Sequence, residues 1–228
     1  MRSIDFSQKA FSFADILEQP RSPGVYAFKE RGGGFLYIGK AKNLRQRLTG
    51  YFVNSEESPG KLRRLREEAH SFAAYICGSE LEAMIYEYRL IRKHAPVLNK
   101  QRTVGERSGT YRPIEDCIIL LPHADATKGL SFWFKKDQKI KLREFSADLH
   151  DISSLSEELE SFFFKDRLPA SPEDFPEIEI ATRWVKRNES RLVAVPVSEA
   201  GSSDELISIF MHYWRDFRES VEGGRTGF

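Results

Sequence analysis

Two apolar segments near the N-terminus predict a β-hairpin. Residues 24–28 (GVYAF) and 35–39 (FLYIG) are typical of strands, and a glycine-rich segment, 30–34, separates them. Other patterns predict a short helix over 11–17, a helix from Leu44 after an N-cap at Asn43, a polar loop over 54–60, a basic helix over 61–70, a strand over 72–77 and a helix over 79–94. This order predicts a small three-stranded antiparallel sheet flanked by helices, an α+β fold.

The register of the hairpin determines which side chains share a face of the sheet. A turn centred between Arg31 and Gly32 would pair Tyr26 with Tyr37, placing their Cβ atoms about 5 Å apart. A slip of one residue would move one of the tyrosines to the other face.

The predicted helix over 79–94 begins with a capping-box pattern. In such a box, Ser79 and Glu82 would satisfy each other's backbone donors. At about 100° per residue, Glu87 falls on the margin of the apolar stripe of this helix. We therefore expect the carboxylate of Glu87 to be half-buried. A charged group in such a position indicates a specific role rather than simple exposure to solvent.

A polar segment, 104–112 (VGERSGTYR), indicates a domain boundary. It would divide the chain into an N-terminal helical extension (1–19), a first domain (20–105) and a second domain (106–228). Beyond it, the patterns predict a strand over 117–121, strands within 131–145, a helix over 154–164, a loop over 165–177, a strand over 191–197 and an amphipathic helix over 206–221. The second domain is therefore expected to be a mixed α/β domain.

The composition of the chain excludes several classes of protein. Its 228 residues include only two cysteines, too few for a secreted scaffold held together by disulfides. No apolar run approaches the roughly 20 residues of a membrane helix, and the first 20 residues lack the apolar core of a signal peptide. We therefore expect a cytosolic protein of the bacterial type, associated with the nucleoid.

The charge of the chain is unevenly distributed along its length. The whole chain has 35 basic and 34 acidic residues, but residues 20–103 carry 16 basic and 8 acidic groups, a net charge of +8. Residues 104–228 carry a net charge of −6 and residues 1–19 a net charge of −1. A basic domain attracts polyanions, above all nucleic acids, although a basic surface can also be merely solvated.

One group of residues in the basic segment could support phosphodiester hydrolysis: Tyr26, Tyr37, Lys40, Arg47 and Glu87. This reaction needs a base or an orienting group for water, cations that offset the charge of the pentavalent phosphorus, and a metal ion or an acid for the leaving group. Taken one by one, these residues could equally be core tyrosines and solvated charges. The sequence contains no P-loop, dinucleotide-binding glycine motif or zinc-ligand pair, and the glycines of segment 30–34 are more typical of a hairpin turn.

The motifs of residues 20–103 resemble the GIY-YIG nuclease family, and most closely the N-terminal nuclease domain of UvrC-type excinuclease subunits. The matching segments are GVY at 24–26, YIG at 37–39, KAKNLRQRL at 40–48, YF at 51–52, SELEA at 79–83, and the later residues Glu87, Pro96 and Asn99. GVY replaces GIY, as is also normal in UvrC-like members.

The resemblance implies roles for individual side chains. Tyr26 and Tyr37 would line the active site, one of them as the general base or as its orienting partner. Arg47 would hold the scissile phosphate, and Lys40 would neutralise charge nearby. Asn99 would close the site.

The resemblance also implies a cofactor and a substrate. Glu87 would bind one divalent ion, Mg²⁺ or Mn²⁺, and the substrate would be damaged or structured duplex DNA. The basic residues expected to contact nucleic acid are Lys42, Arg45, Lys61, Arg63 and Arg64.

These expectations lead to one preferred function and two alternatives. The preferred function is a metal-dependent DNA endonuclease that makes a single incision in nucleotide excision repair, recruited by a damage-recognition helicase complex. The further domains of a UvrC-type subunit are not recognisable in residues 104–228, so the acidic second half stays unassigned. The alternatives are a nuclease of branched, mobile-element or foreign DNA, and a non-catalytic nucleic-acid-binding module.

Overall fold

The computed structural model describes residues 9–53, 60–99, 115–135, 139–165 and 174–223. The chain divides into two compact units, Met1–Gly105 and Glu106–Phe228. The predicted boundary segment, 104–112, lies outside the described residues, as do residues 54–59 of the predicted polar loop. None of the described helices is both long and apolar enough to cross a membrane.

The first unit has the α+β fold predicted for it. Its elements are α1 (Phe13–Leu17), β1 (Gly24–Lys29), β2 (Phe35–Ala41), α2 (Leu44–Val53), α3 (Gly60–Glu68), β3 (Ser71–Ile76) and α4 (Glu80–His94). The strands form an antiparallel sheet in the order β2-β1-β3, so β2 and β3 are its edges.

The predicted register of the hairpin is wrong by two positions. Tyr26 pairs with Gly39, and Phe28, not Tyr26, pairs with Tyr37. Two features cause the shift. The turn closes through a hydrogen bond from the Glu30 amide to the Gly34 carbonyl and is therefore centred one position off, and a register irregularity between Phe28 and Lys29 adds the second position. Because side chains alternate at every residue, a shift of two keeps both tyrosines on the same face.

The two faces of this sheet pack against different helices. On one face, Tyr26 and Phe28 pack with Leu44, Leu48 and Tyr51 of α2. On the other face, Val25 and Ile38 pack with Ala83 of α4 and with Cys77, which precedes that helix.

The predicted capping box is only partly formed. The Ser79 hydroxyl accepts a hydrogen bond from the Glu82 amide at 3.1 Å, as expected. The carboxylate of Glu82, however, accepts from the Gly78 amide at 2.9 Å instead of from Ser79. The helix therefore begins where predicted, with its acidic side chain bonded one residue farther upstream.

The second unit contains a four-stranded antiparallel sheet in the order β6-β5-β4-β7. Its elements are β4 (Cys117–Leu121), β5 (Lys128–Lys135), β6 (Lys139–Ser146), α5 (Ile152–Leu159), a π-helical turn (Glu160–Lys165), α6 (Phe175–Asn188), β7 (Val193–Pro196) and α7 (Ser203–Glu222). Trp133 and Phe145 lie in a buried cluster with Leu155 of α5 and with Phe210 and Trp214 of α7. This confirms the predicted mixed α/β architecture.

Helix α6 is an element that the sequence patterns did not predict. Its first residues fall within the segment 165–177 that was expected to be a loop because of its prolines. Pro176 lies in the first turn of α6, where backbone amides have no hydrogen-bond partner within the helix. Proline, which lacks an amide hydrogen, is therefore tolerated at this position. Ile178, Ala181 and Trp184 then form its buried face.

Candidate active site

Three tyrosines from three elements meet on the α2 face of the first sheet. The hydroxyl oxygens of Tyr26 on β1 and Tyr51 on α2 are 2.5 Å apart. The ring centroid of Tyr37, on β2, lies 6.1 Å from that of Tyr26 and 6.2 Å from that of Tyr51. All three side chains are buried, so their hydroxyl groups form a compact polar cluster within an apolar wall.

Arg47 brings a positive charge to this cluster. It lies one helical turn before Tyr51 on α2, and its Nε donates a hydrogen bond to the Tyr26 hydroxyl at 3.3 Å. Its guanidinium also lies 5.2 Å from the centroid of the Tyr51 ring. Of the two tyrosines and the arginine predicted for the site, all three are therefore in one cluster.

The pKa of the Tyr26 hydroxyl is raised well above its ordinary value of 10.0, first because the group is buried and second because Tyr37 is close. The hydrogen bonds from Tyr51 and Arg47 oppose this rise without cancelling it. Burial also raises the pKa of Tyr51. The hydrogen bond to Tyr26 raises the pKa of Arg47, which stays charged. At neutral pH Tyr26 and Tyr51 therefore present neutral hydroxyl groups beside a fixed cation.

Glu87 lies at the outer edge of β2, where it is half-buried as expected. Its Oε1 accepts a hydrogen bond from the backbone amide of Lys40 at 3.1 Å. This bond fixes the carboxylate next to Gly39, the residue that faces Tyr26 across the sheet.

Asn99 is bonded to the same edge strand. Its Oδ1 accepts from the Ile38 amide at 2.9 Å, and its Nδ2 donates to the Ile38 carbonyl at 2.8 Å. The Leu98 amide donates to the Leu36 carbonyl at 2.8 Å. The segment after α4 thus covers the edge of β2, and Asn99 acts on the backbone of the site rather than on its side chains.

Lys40 points away from the tyrosine cluster. Side chains alternate along a strand, so Lys40 lies on the α4 side whereas Tyr37 lies on the α2 side. Its Nζ is 3.4 Å from Oε1 of Glu80, and Nζ of Lys42 is 2.9 Å from Oε2 of the same carboxylate. Glu80 therefore links two of the predicted cations.

The other residues predicted to contact nucleic acid have different surroundings. Nζ of Lys61 lies 4.2 Å from the centroid of the Tyr37 ring, beside the cluster. Arg45 donates to the backbone carbonyl of Gln19 at 2.7 Å and so anchors the segment before β1. The remaining two cations pair with acids one turn along α3: Arg63 with Glu67 at 3.8 Å and Arg64 with Glu68 at 2.7 Å.

Tyr51 and Glu80 were not among the predicted site residues. Tyr51 follows Arg47 by four residues on a predicted helix, a spacing that places two side chains on one face. That spacing and the place of Tyr51 in the family pattern were the available signals. Glu80 lies within the matching segment 79–83, but no spacing in the sequence links it to Lys40 and Lys42, its two partners in the structure.

Among the described residues, no group of three or more His, Cys, Asp and Glu side chains is arranged to hold a metal ion. The carboxylate predicted to hold the ion is that of Glu87, which is bonded to the Lys40 amide at the edge of β2. A single carboxylate is compatible with Mg²⁺, which keeps several water ligands and takes phosphate oxygens of its substrate.

Comparisons with known proteins place the first unit in a family. The family model described as a UvrC-like GIY-YIG domain matches residues 22–100. UvrABC system protein C from Chlamydia caviae is 39% identical over 99 residues, which are 43% of this chain and 15% of the relative. The protein of the same name from Chlorobium chlorochromatii is 44% identical over 104 residues, 43% of this chain and 16% of the relative.

A solved structure also matches this region. It is the GIY-YIG N-terminal endonuclease domain of UvrC from Thermotoga maritima, bound to its catalytic divalent cation, magnesium. The match has 40% sequence identity and a TM-score of 0.36, and it covers 39% of this chain and 94% of that domain.

The resemblance noted in the sequence is thereby confirmed for one part of the chain. The match to the full-length relatives spans only about 15% of their length. The family match and the sequence identity both fall on the unit that holds the tyrosine cluster. Residues 22–100 therefore form a UvrC-like GIY-YIG domain.

Proposed function

We propose that this chain is a divalent-metal-dependent endonuclease that hydrolyses phosphodiester bonds in DNA. The observation that carries the proposal is the hydrogen bond from Arg47 to the Tyr26 hydroxyl within the tyrosine cluster. A fixed cation held beside neutral hydroxyl groups can bind a phosphate and orient a water molecule next to it.

Arg47 has the electrostatic role in this proposal. Its guanidinium is charged at neutral pH, and it offers several donors to phosphate oxygens. Charge accumulates on those oxygens when water attacks phosphorus, so a preorganised cation lowers the barrier. The cation–π contact with Tyr51 and the hydrogen bond to Tyr26 limit the conformers of the Arg47 side chain.

Tyr26 is assigned an orienting role. Burial keeps its hydroxyl protonated at neutral pH, so it positions the attacking water by hydrogen bonding rather than by removing a proton as a phenolate. Tyr51 holds the Tyr26 hydroxyl in place. Tyr37 lines the other side of the cluster and is the remaining tyrosine available to act as the base.

Glu87 would hold the divalent ion. Its carboxylate is a hard oxygen donor whose orientation is fixed by the Lys40 amide, and the T. maritima domain is bound to magnesium. When bound, the ion would supply positive charge to the phosphate and to the leaving oxygen. Asn99 would keep the β2 edge in place, and Lys40 would contribute charge from the α4 side.

The biological role proposed is a single incision in nucleotide excision repair. The relatives named UvrABC system protein C support this role, with damaged duplex DNA as substrate, a damage-recognition helicase complex as recruiting partner and the bacterial cytoplasm as location. Nicking of lesion-bearing and branched duplexes of equal length, measured side by side, distinguishes a role in repair from the processing of branched DNA.

A nicking assay with one isosteric variant tests the chemistry. Glu87→Gln removes the charge of the carboxylate but keeps an oxygen that can accept the Lys40 amide. We expect at least a hundredfold loss of Mg²⁺-dependent nicking, with DNA affinity retained. The matched control is Glu18→Gln, an exposed residue at the end of α1, which should nick at the wild-type rate.

One outcome would overturn the assignment of Glu87, and another would overturn the proposed function. Undiminished nicking by Glu87→Gln would remove Glu87 from the metal site. Absence of nicking by the wild-type chain on every duplex, with Mg²⁺ or Mn²⁺, would leave the non-catalytic binding module as the function.

A further inference from the structure

We propose that the first unit has a second DNA-phosphate contact surface at the end of β2 remote from Lys40. Its core consists of Lys29, Phe35 and His94, and the exposed cations Arg31 and Lys93 border it. This inference rests on the proposed function, because it describes how the same nuclease would hold its DNA.

Phe35 joins the hairpin to the last turn of α4. Its ring centroid lies 4.2 Å from that of His94, with 33° between the two planes, and 4.6 Å from Nζ of Lys29. Its carbonyl accepts from the Val97 amide at 3.2 Å. Residues from β1, β2 and α4 are therefore held together at one place, and two of them are basic side chains.

The surroundings of this core are predominantly basic. Arg31 is exposed in the turn of the hairpin, and Arg92 and Lys93 are exposed in the last turn of α4. The acidic residue of the turn is Glu30, whose carboxylate packs against Gly34 so closely that a Cβ atom there would lie 2.6 Å from Oε1. The formal charges at this end of the sheet therefore favour an anionic partner.

A simpler explanation accounts for only part of these charges. Cations in the last turn of a helix stabilise its dipole by about 0.3–1 kcal/mol, which explains Arg92 and Lys93 without any partner. It does not explain Lys29 and Arg31, which belong to the hairpin. Their convergence on the same end of the sheet is what a phosphate-binding surface requires.

Two of the cations predicted to contact nucleic acid form ion pairs within helix α3. On α3, Glu67 and Glu68 compensate Arg63 and Arg64. The +8 charge of residues 20–103 is therefore not concentrated on α3, and the end of β2 carries a share of it.

The length of β2 sets the distance between the two contact surfaces. Lys40, whose amide holds Glu87, and Phe35 are five residues apart in the strand, about 17 Å at about 3.4 Å per residue. B-DNA advances about 3.4 Å per base pair, so this spacing corresponds to about five base pairs. A duplex aligned with β2 would thus place its scissile phosphate near Glu87 and a phosphate about five base pairs away near Phe35.

The test combines a protein variant with a series of substrates. Lys29→Gln/Lys93→Gln removes two charges, and the control Arg187→Glu makes the same change in net charge at an exposed position of α6. On a long duplex we expect the double variant to bind about tenfold more weakly and its log–log salt slope to fall by about 2, with kcat unchanged. The control should keep the wild-type slope.

Shortening the duplex locates the contact. When fewer than about five base pairs remain on the side of the cut that reaches Phe35, the wild type should bind as weakly as the double variant. Shortening the other side should weaken both proteins equally.

The outcomes separate this inference from the proposed function. If the wild type nicks DNA and the double variant behaves like the Arg187→Glu control, the second surface is wrong and the nuclease proposal stands. The surface is also wrong if the affinity ratio of the two proteins is the same on all duplex lengths. If the wild type neither binds nor nicks DNA, the proposed function itself fails.

Discussion

A methyl group on Gly39 would lie 2.5 Å from the hydroxyl oxygen of Tyr26 and 3.0 Å from Cε1 of Tyr37. Gly39 and Tyr26 are direct cross-strand partners, and the absence of a side chain on one makes room for the ring of the other. The glycine is therefore needed for space, and this space is what lets the Tyr26 hydroxyl reach both Tyr51 and Arg47.

We predict that Gly39→Ala displaces the Tyr26 ring. Overpacking of this kind costs about 1–3 kcal/mol of folding stability, and the loss of the hydrogen bond to Arg47 should lower nicking by more than tenfold. Denaturant unfolding and a nicking assay measure the two effects. The control is Gly50→Ala in α2, where a Cβ meets nothing within 4 Å.

Gly50→Ala should be neutral or stabilising by up to about 1 kcal/mol, because alanine favours a helix over glycine. Full nicking activity in a folded Gly39→Ala variant would show that the position of the Tyr26 ring is not critical.

The buried tyrosine pair predicts a loss of stability in alkaline solution. The pKa values of Tyr26 and Tyr51 are raised in the folded protein, so the unfolded chain ionises at lower pH than the folded one. Their contribution is fully present below pH about 10 and is lost as the pH rises beyond it. Replacing both with phenylalanine keeps the rings and removes the ionisable groups.

Tyr26→Phe/Tyr51→Phe should therefore unfold with a flatter dependence on pH between about 9 and 11 than the wild type. Tyr75→Phe is the control, because Tyr75 is 48% exposed and should leave the wild-type slope unchanged. Identical slopes for the wild type and the double variant would mean that the pair ionises as readily in the folded protein as in the unfolded one.

The sequence predicted the elements of the first unit well because each has a local signal. Apolar runs marked the strands, and Ser79 marked the start of α4. The register of the hairpin could not be predicted in the same way, because a five-residue turn with three glycines admits several closures. The error of two positions did no harm to the site, since only an odd shift would have separated Tyr26 from Tyr37.

Contacts between segments that are far apart in the chain could not be predicted from local sequence patterns. The alternation of side chains along β2 predicts the face of the sheet on which Lys40 lies. It does not predict the partner of Lys40, because Glu80 is 40 residues away in the sequence. The sequence patterns do not predict helix α6, because the prolines before it indicate a loop, although Ile178, Ala181 and Trp184 recur at helical spacing.

Asn99 offers a test of positioning at the edge of β2. Asn99→Ala removes both hydrogen bonds to the Ile38 backbone, and leaving such groups unpaired costs about 1–3 kcal/mol each. We expect faster hydrogen exchange at the Ile38 amide and a lower kcat at nearly constant KM. The control is Asn188→Ala, which removes a side-chain bond to the Trp184 carbonyl in the second unit.

Wild-type exchange at Ile38 in Asn99→Ala would show that the edge of β2 is held by the neighbouring backbone bonds alone. A reduced kcat with unchanged exchange would instead assign Asn99 a direct part in the reaction.

Glu80 should restrain DNA binding, because one carboxylate holds two lysines. Burial acts to raise the pKa of Glu80, but the hydrogen bond from Lys42 and the charges of Lys40 and Lys42 outweigh burial. The pKa is therefore lowered, and Glu80 is ionised at neutral pH. Glu80→Gln releases both ammonium groups for phosphates, and we expect tighter binding with a salt slope steeper by about 1–2. Glu160→Gln, which frees Lys165 in the second unit, is the control of equal charge change. Weaker binding by Glu80→Gln would mean that the carboxylate positions the lysines for DNA rather than competing with it.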